Sequence, residues 1–234
     1  MDKSEKNKIL NALIHPVLFV MVIGLVNFTQ YVFDLNLVKY GVYPRDPKGL
    51  IGIVASPLIH GSFSHLFNNS LPILILGTLL FYFYKEVAFK VSTWIYLMVG
   101  FWTWVYAREA YHIGASGLLY GLFSFVLISG FIRRNKNLIS LSFAVVFLYG
   151  SLVWGIFPID VQISFEGHLW GFVAGTILAI YYRKQGTQKP PEYWPEEDDL
   201  DDENPYWKEN VTIPTERKVN YIFKPTKKEE SPKD

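Results

Sequence analysis

Charged residues leave six long gaps along the chain. Uninterrupted uncharged stretches of 25 residues follow Lys8, 36 follow Lys48, 17 follow Lys90, 23 follow Glu109, 23 follow Lys136 and 16 follow Glu166. A helix that spans a bilayer needs roughly 17–25 predominantly apolar residues, and several of these gaps meet that length. The gap after Lys48 is too long for one span, so it must hold a loop or re-entrant piece as well. The pattern predicts six helices, over 10–33, 65–84, 91–107, 116–132, 138–157 and 168–182. The chain is therefore expected to be an all-α polytopic membrane protein. Its expected organisation is a cytosolic N-terminus at 1–9, a membrane domain at 10–183 and a hydrophilic cytosolic tail at 184–234.

Lys and Arg placement in short loops sets the orientation of a membrane bundle. With the N-terminus inside, the inner segments hold Lys3, Lys6, Lys8, Lys85, Lys90, Arg133, Arg134, Lys136, Arg183 and Lys184. The outer loops hold only Lys39, Arg45, Lys48 and Arg108. This bias predicts both termini in the cytosol, so the second, fourth and sixth helices start at the outer face and run inward.

The fourth predicted helix has seventeen residues, roughly 25 Å at the usual rise per residue, and the sixth is about as short. Both fall below the ~30 Å hydrocarbon core. With inner ends fixed by Arg133-Arg134 and Arg183-Lys184, their outer ends stop below the membrane surface. Non-helical backbone at that depth is tolerated only where protein or a water-filled cavity satisfies it. The lengths therefore predict a wet hollow, open outward, where these two helices begin. The first outer connection, about Asp34 to Leu58, combines the turn-rich Tyr43-Pro44-Arg45-Asp46-Pro47 with the apolar run Leu50 to Ala55, which fits a loop lying partly in the interface.

Composition adds little beyond this. The net charge of +1 hides segregation, because 23 of the 43 charged residues lie between Arg183 and Asp234. That proline-bearing, mixed-sign tail reads as mostly disordered. With no cysteine in the chain, a disulfide framework, a thiolate metal site and a cysteine nucleophile are excluded. The lysines before the first apolar run are not followed by a small-residue cleavage signature, so that run reads as a retained helix. The 18 Phe, 15 Tyr and 7 Trp fit interface belts and helix packing.

The chemistry-bearing residues gather at one depth. His65 and Asn69 are four apart at the start of the second helix, Ser116 opens the fourth, and His168 opens the sixth. Polar side chains inside a membrane are costly, usually face the bundle interior and mark working sites. Ser116 sits between Gly114 and Gly117, and Tyr120 follows it by four. Gly117 and Gly121 on one helix, and Gly171 and Gly175 on the other, form small-residue ladders that let helices approach closely. Contact along those ladders would bring Ser116 to His168, a nucleophile with its base; a helix-capping serine is the plainer reading of the same residue. The backbone N–H of Ser116, the Asn69 amide and the His65 ring could serve as donors to an oxyanion. No acid stands in these helices to orient His168, so a dyad is expected, with Asp160 and Glu166 in the last outer loop facing water. His60 reads as a loop-bracing residue, and its spacing from His65 makes the two poor co-ligands for a metal. His15 and His112 fall outside the constellation.

His60-Gly-Ser-Phe-Ser-His65-Leu-Phe-Asn-Asn69, Gly114-Ala-Ser116-Gly117 and Gly167-His168-Leu-Trp-Gly171 resemble the motifs of the rhomboid intramembrane serine proteases. The resemblance covers roughly residues 10–183 and requires three motifs on three helices to coincide. It implies a six-transmembrane-helix bundle in which Ser116 is the nucleophile and His168 its base. It further implies that His65, Asn69 and Gly114 support the oxyanion and that Tyr120 packs on the histidine. The implied partners are transmembrane protein substrates and the lipid bilayer, with no cofactor, metal or nucleic acid. The implied location is the plasma (inner) membrane of a prokaryote. The chain departs from many rhomboids in lacking a Trp-Arg pair in the first outer loop, where Tyr43-Pro44-Arg45 is the nearest polar-aromatic group. A catalytically silent adaptor that binds transmembrane helices is the alternative function; such proteins are expected to lose the nucleophile or the base, and this chain keeps both.

Overall fold

A computed structural model describes residues 2–160 and 163–189. The expected tail lies outside the described residues apart from 184–189. Six long helices appear among the described residues: α1 (Lys3–Val32), α3 (Phe63–Phe83), α4 (Ala88–Tyr106), α5 (Ser116–Arg133), α6 (Lys136–Tyr149) and α7 (Phe165–Tyr181). A short α2 (Gly52–Ala55) lies in the connection between α1 and α3, between turns of 3-10 helix. Among the described residues, strand character is confined to an isolated bridge between Val42 and His112. Among the described residues four segments, α1, α3, α5 and the run Lys136–Ile156, are long and apolar enough to cross a membrane. This is an integral membrane protein.

Helix α5 is the axis of the bundle. Of its span, 72% is buried inside the protein, against 17% for α1, so α5 is wrapped by protein and α1 turns most of its surface outward. Met21, Leu25 and Phe28 on α1 are exposed, as side chains that face acyl chains should be. The most extensive packing is between α5 and α7, and the glycine ladders are the reason. A methyl group built on Gly171 would overlap the carbonyl oxygen of Gly117, and one on Gly175 would overlap that of Gly121. Backbone meets backbone there with no side chain between, the contact that small residues permit between membrane helices.

Two boundaries differ from the sequence reading in ways that matter. Helix α7 starts at Phe165, three residues early, because the Ser164 hydroxyl accepts the Gly167 N–H at 3.3 Å and caps it. His168 thus sits in the first turn rather than at the helix end. The expected 138–157 helix stops at Tyr149 and continues as 3-10 turns from Gly150 to Ile156. Carbonyls at a helix end have no intrahelical partner, so this segment has acceptors free to point elsewhere.

The connection between α1 and α3 is tied down at several points. Arg45 donates from its backbone to Trp104 O (3.0 Å) and from its guanidinium to Ala107 O (2.8 Å). The Trp104 indole N–H donates to Asp46 O at 2.9 Å. Val42 and His112 exchange two backbone bonds of 3.0 and 2.8 Å. The loop is thereby fixed to the end of α4 and to the segment leading into Ser116.

At the end of the bundle away from Ser116, Arg133 donates to the carbonyls of Tyr182, Gln185 and Thr187. Asn135 caps α6 and donates to Gln188 O at 2.9 Å. The residues directly after α7 are therefore held against the α5–α6 junction.

Candidate active site

Ser116 is the first residue of α5, and the glycine contact with α7 sets it opposite His168. Its Oγ lies 2.8 Å from His168 Nε2. On the other side of the ring, Nδ1 lies 2.9 Å from the carbonyl oxygen of Gly155. A carbonyl can only accept, so Nδ1 carries the proton and Nε2 presents its lone pair to the serine hydroxyl. That is the tautomer a general base needs. The Tyr120 ring lies flat on the imidazole, with centroids 4.2 Å apart and planes 9° apart, and fixes the ring plane.

Gly155 belongs to the 3-10 segment after α6, and sequence reasoning did not single it out. The orienting group is a backbone carbonyl, which every residue carries, so no side-chain pattern marks it. What the sequence does offer is the glycine itself: a methyl at this position would overlap the Tyr120 hydroxyl and lie 3.1 Å from His168 Nδ1.

Gly114, His65 and Asn69 converge beside the serine. Gly114 has φ of +102°, in the left-handed region that favours glycine. A Cβ there would sit 2.6 Å from His65 Nε2 and 3.5 Å from Asn69 Nδ2. Asn69 is buried, and its Nδ2 has no hydrogen-bond partner among the described residues. An unpaired buried donor is expensive, and this one lines the same cavity as Ser116 and His168. That cavity has a volume of about 680 Å³ and reaches Arg108 and Tyr111, between α4 and α5, and Asp160, before α7.

Two expectations are corrected. Glu166 does not face water: it is buried, accepts the Arg108 backbone N–H at 3.3 Å and pairs with the Arg108 guanidinium at 3.7 Å. It serves the outer loop rather than the histidine. His112 does not stand apart from the site but lines the cavity. Its Nε2 donates to Arg108 O at 3.0 Å, which leaves Nδ1 to accept from the Ser164 hydroxyl at 2.6 Å. His112 thus links the segment before Ser116 to the cap of the helix that carries His168.

His60 behaves as a brace. It is fully buried, accepts the Ala115 N–H at Nε2 (3.4 Å) and meets Asn27 of α1 at Nδ1 (3.3 Å). Among the described residues no three His, Cys, Asp or Glu side chains come together in a metal-ligating group.

The Rhomboid domain family model matches residues 47–185. Uncharacterized proteins of Mycobacterium bovis and Mycobacterium tuberculosis are each 32% identical over 171 residues, covering 69% of this chain and 71% of their own. An uncharacterized protein of Mycobacterium leprae is 27% identical over 190 residues, covering 76% of this chain and 75% of its own. The chain belongs to the rhomboid family.

Proposed function

We propose that this protein is an intramembrane serine endopeptidase that cleaves transmembrane-helix substrates near the outer membrane face. The observation that carries the reading is the run of contacts Ser116 Oγ, His168 Nε2, His168 Nδ1 and Gly155 O, at 2.8 and 2.9 Å. It supplies a hydroxyl, a base in the correct tautomer and a fixed acceptor that holds the base. Six spans with both termini cytosolic, in the plasma membrane of a prokaryote, complete the reading. The excess of Lys and Arg in the inner loops supports that orientation.

Ser116 Oγ attacks the scissile carbonyl carbon while its proton passes to His168 Nε2. The carbonyl π electrons move onto oxygen, where the Ser116 backbone N–H, the Asn69 amide and the His65 ring donate to the oxyanion. Collapse breaks the C–N bond, and the leaving amine takes the proton from His168. The acyl ester on Ser116 is then attacked by water, which gives its proton to His168. A second collapse breaks the ester C–Oγ bond, and Ser116 Oγ takes the proton back from His168, which frees the carboxylic acid and restores the serine hydroxyl. No carboxylate takes part. Gly155 O and the Tyr120 ring hold the imidazole in place, and the imidazolium formed at each step keeps its Nδ1–H on a carbonyl dipole. A cavity of about 680 Å³ that opens among outer-loop residues gives water a route to a site below the surface.

A fluorophosphonate probe tests the reading at the level of the nucleophile. The wild type should be labelled on Ser116, located by mass spectrometry, and His168→Ala should lose the label. Labelling that persists in His168→Ala would remove the histidine from its role. Absence of both labelling and cleavage in the wild type would favour the silent adaptor.

A further inference from the structure

Two cavities meet at the end of the bundle away from Ser116. One, of about 480 Å³, is lined by Lys8, Asn11, His15, Phe81, Tyr82 and Lys85. The other, of about 310 Å³, runs between α1, α3 and α4 past Phe19, Ile73 and Phe89 to Leu118 and Leu122 of α5. They share His15 and Phe81, whose rings stack at 4.6 Å, so a polar, cationic mouth continues into an apolar slot. Ser92 in the slot wall already donates its hydroxyl to Ala88 O at 2.9 Å and leaves the wall chemically apolar. The slot exists because α4 packs on α7 and α2 far more than on α3, while Gly77 lets Pro16 of α1 press onto α3.

The position and charge of the mouth identify an occupant. Phe81 lies sixteen residues beyond His65 on α3, about 24 Å of helix, which sets the mouth near the opposite membrane surface from the Ser116 cavity. Lys8 uses one of its three donors on Glu5 at 2.6 Å, and Tyr82 donates to the same carboxylate at 2.7 Å. Lys85 forms no ion pair among the described residues. Basic pockets between membrane helices on the cytoplasmic side take anionic lipid headgroups, and a slot open at hydrocarbon depth takes an acyl chain.

We propose that mouth and slot together form a site for one anionic phospholipid of the inner leaflet. Lys8, Lys85 and the Asn11 amide hold the headgroup phosphate, and one acyl chain lies in the slot against Leu118 and Leu122. The proposal rests on the orientation given above but not on the peptidase chemistry, so its test uses binding alone.

Protein purified in detergent and equilibrated with equal amounts of phosphatidylglycerol and phosphatidylcholine is examined by native mass spectrometry. The wild type should retain one phosphatidylglycerol, with a preference of roughly tenfold over phosphatidylcholine set by the two lysines. Lys8→Ala/Lys85→Ala should abolish that preference. Ser92→Phe, which fills the slot, should abolish retention of both lipids while the lipid-free melting temperature stays near the wild-type value. Equal retention of the two lipids would overturn the proposal, as would full retention in the double variant. Displacement by millimolar inorganic phosphate with no effect of Ser92→Phe would show a free-phosphate site instead and would also overturn it.

Discussion

The imidazole of His168 donates its Nδ1 proton to the carbonyl oxygen of Gly155 at 2.9 Å. This bond does for the ring what a carboxylate does in a triad: it selects the tautomer and holds the orientation. A carbonyl carries only a partial charge, so it avoids the large desolvation cost of an unpaired carboxylate at membrane depth. The arrangement uses a carbonyl next to the last residue of the 3-10 segment Gly150–Ile156, where the closing carbonyls have no partner within the helix.

Gly155→Ala should therefore damage the reaction more than the fold. The added methyl would overlap the Tyr120 hydroxyl and crowd His168 Nδ1, displacing the base. A misplacement of about 1 Å costs on the order of 100-fold in rate, and the loss should appear in kcat rather than KM. Unchanged kcat in a well-folded Gly155→Ala protein would remove the carbonyl from its orienting role.

Asn69→Ala separates an oxyanion donor from a structural amide. Because Asn69 Nδ2 is buried without a partner among the described residues, its removal relieves an unsatisfied donor and should leave the melting temperature near or slightly above wild type. Loss of one oxyanion donor lowers kcat by about 100- to 1000-fold. A large fall in melting temperature with a proportionate loss of activity would mean that Asn69 only braces the loop.

Acid should weaken the junction between the outer loops. Burial holds His112 below the ordinary imidazole value of 6.5, and the Arg108 charge adds to this; the backbone bond to Arg108 and the charge of Glu166 act the other way. The unfolded chain thus takes up a proton that the folded chain resists. Stability contributed here is complete above the unfolded value and falls as the pH drops through it towards the lowered folded value. Melting temperatures between about pH 7.5 and 5.5 should decline in the wild type and decline less in His112→Gln. Parallel slopes would contradict this.

Much of the site could be read from residue spacing. Ser116, His168, His65 and Asn69 announce themselves because polar side chains are rare in apolar segments, and the glycine ladders foretell the α5–α7 contact that joins the first two. The features that escaped were those without a side-chain signature or with a misleading one. The Gly155 carbonyl belongs to the backbone. Glu166 looked like a loop carboxylate, but Ser164 starts α7 early enough to bring it inside, where Arg108 pairs with it. His112 looked isolated because its partners, Ser164 and Val42, lie 52 and 70 residues away in sequence. The connection between α1 and α3, without the Trp-Arg pair of many rhomboids, is held by Arg45 and Trp104 from two separate segments.

The α5–α7 ladder should be intolerant of bulk. Gly175→Val would drive a methyl into the Gly121 carbonyl and the Ser124 hydroxyl, and overpacking of this kind costs about 1–3 kcal/mol or more. Thermal unfolding in detergent should show the loss, together with the loss of probe labelling at Ser116. An unchanged melting temperature would mean that the helices do not meet along this face.

Cleavage of a transmembrane reporter by purified protein in lipid vesicles tests the central claim most directly. The wild type should cut the reporter near its outer end with no added metal or cofactor, and Ser116→Ala and His168→Ala should each abolish cutting while keeping the wild-type melting profile. Retained cleavage in either variant would contradict the Ser116–His168 mechanism.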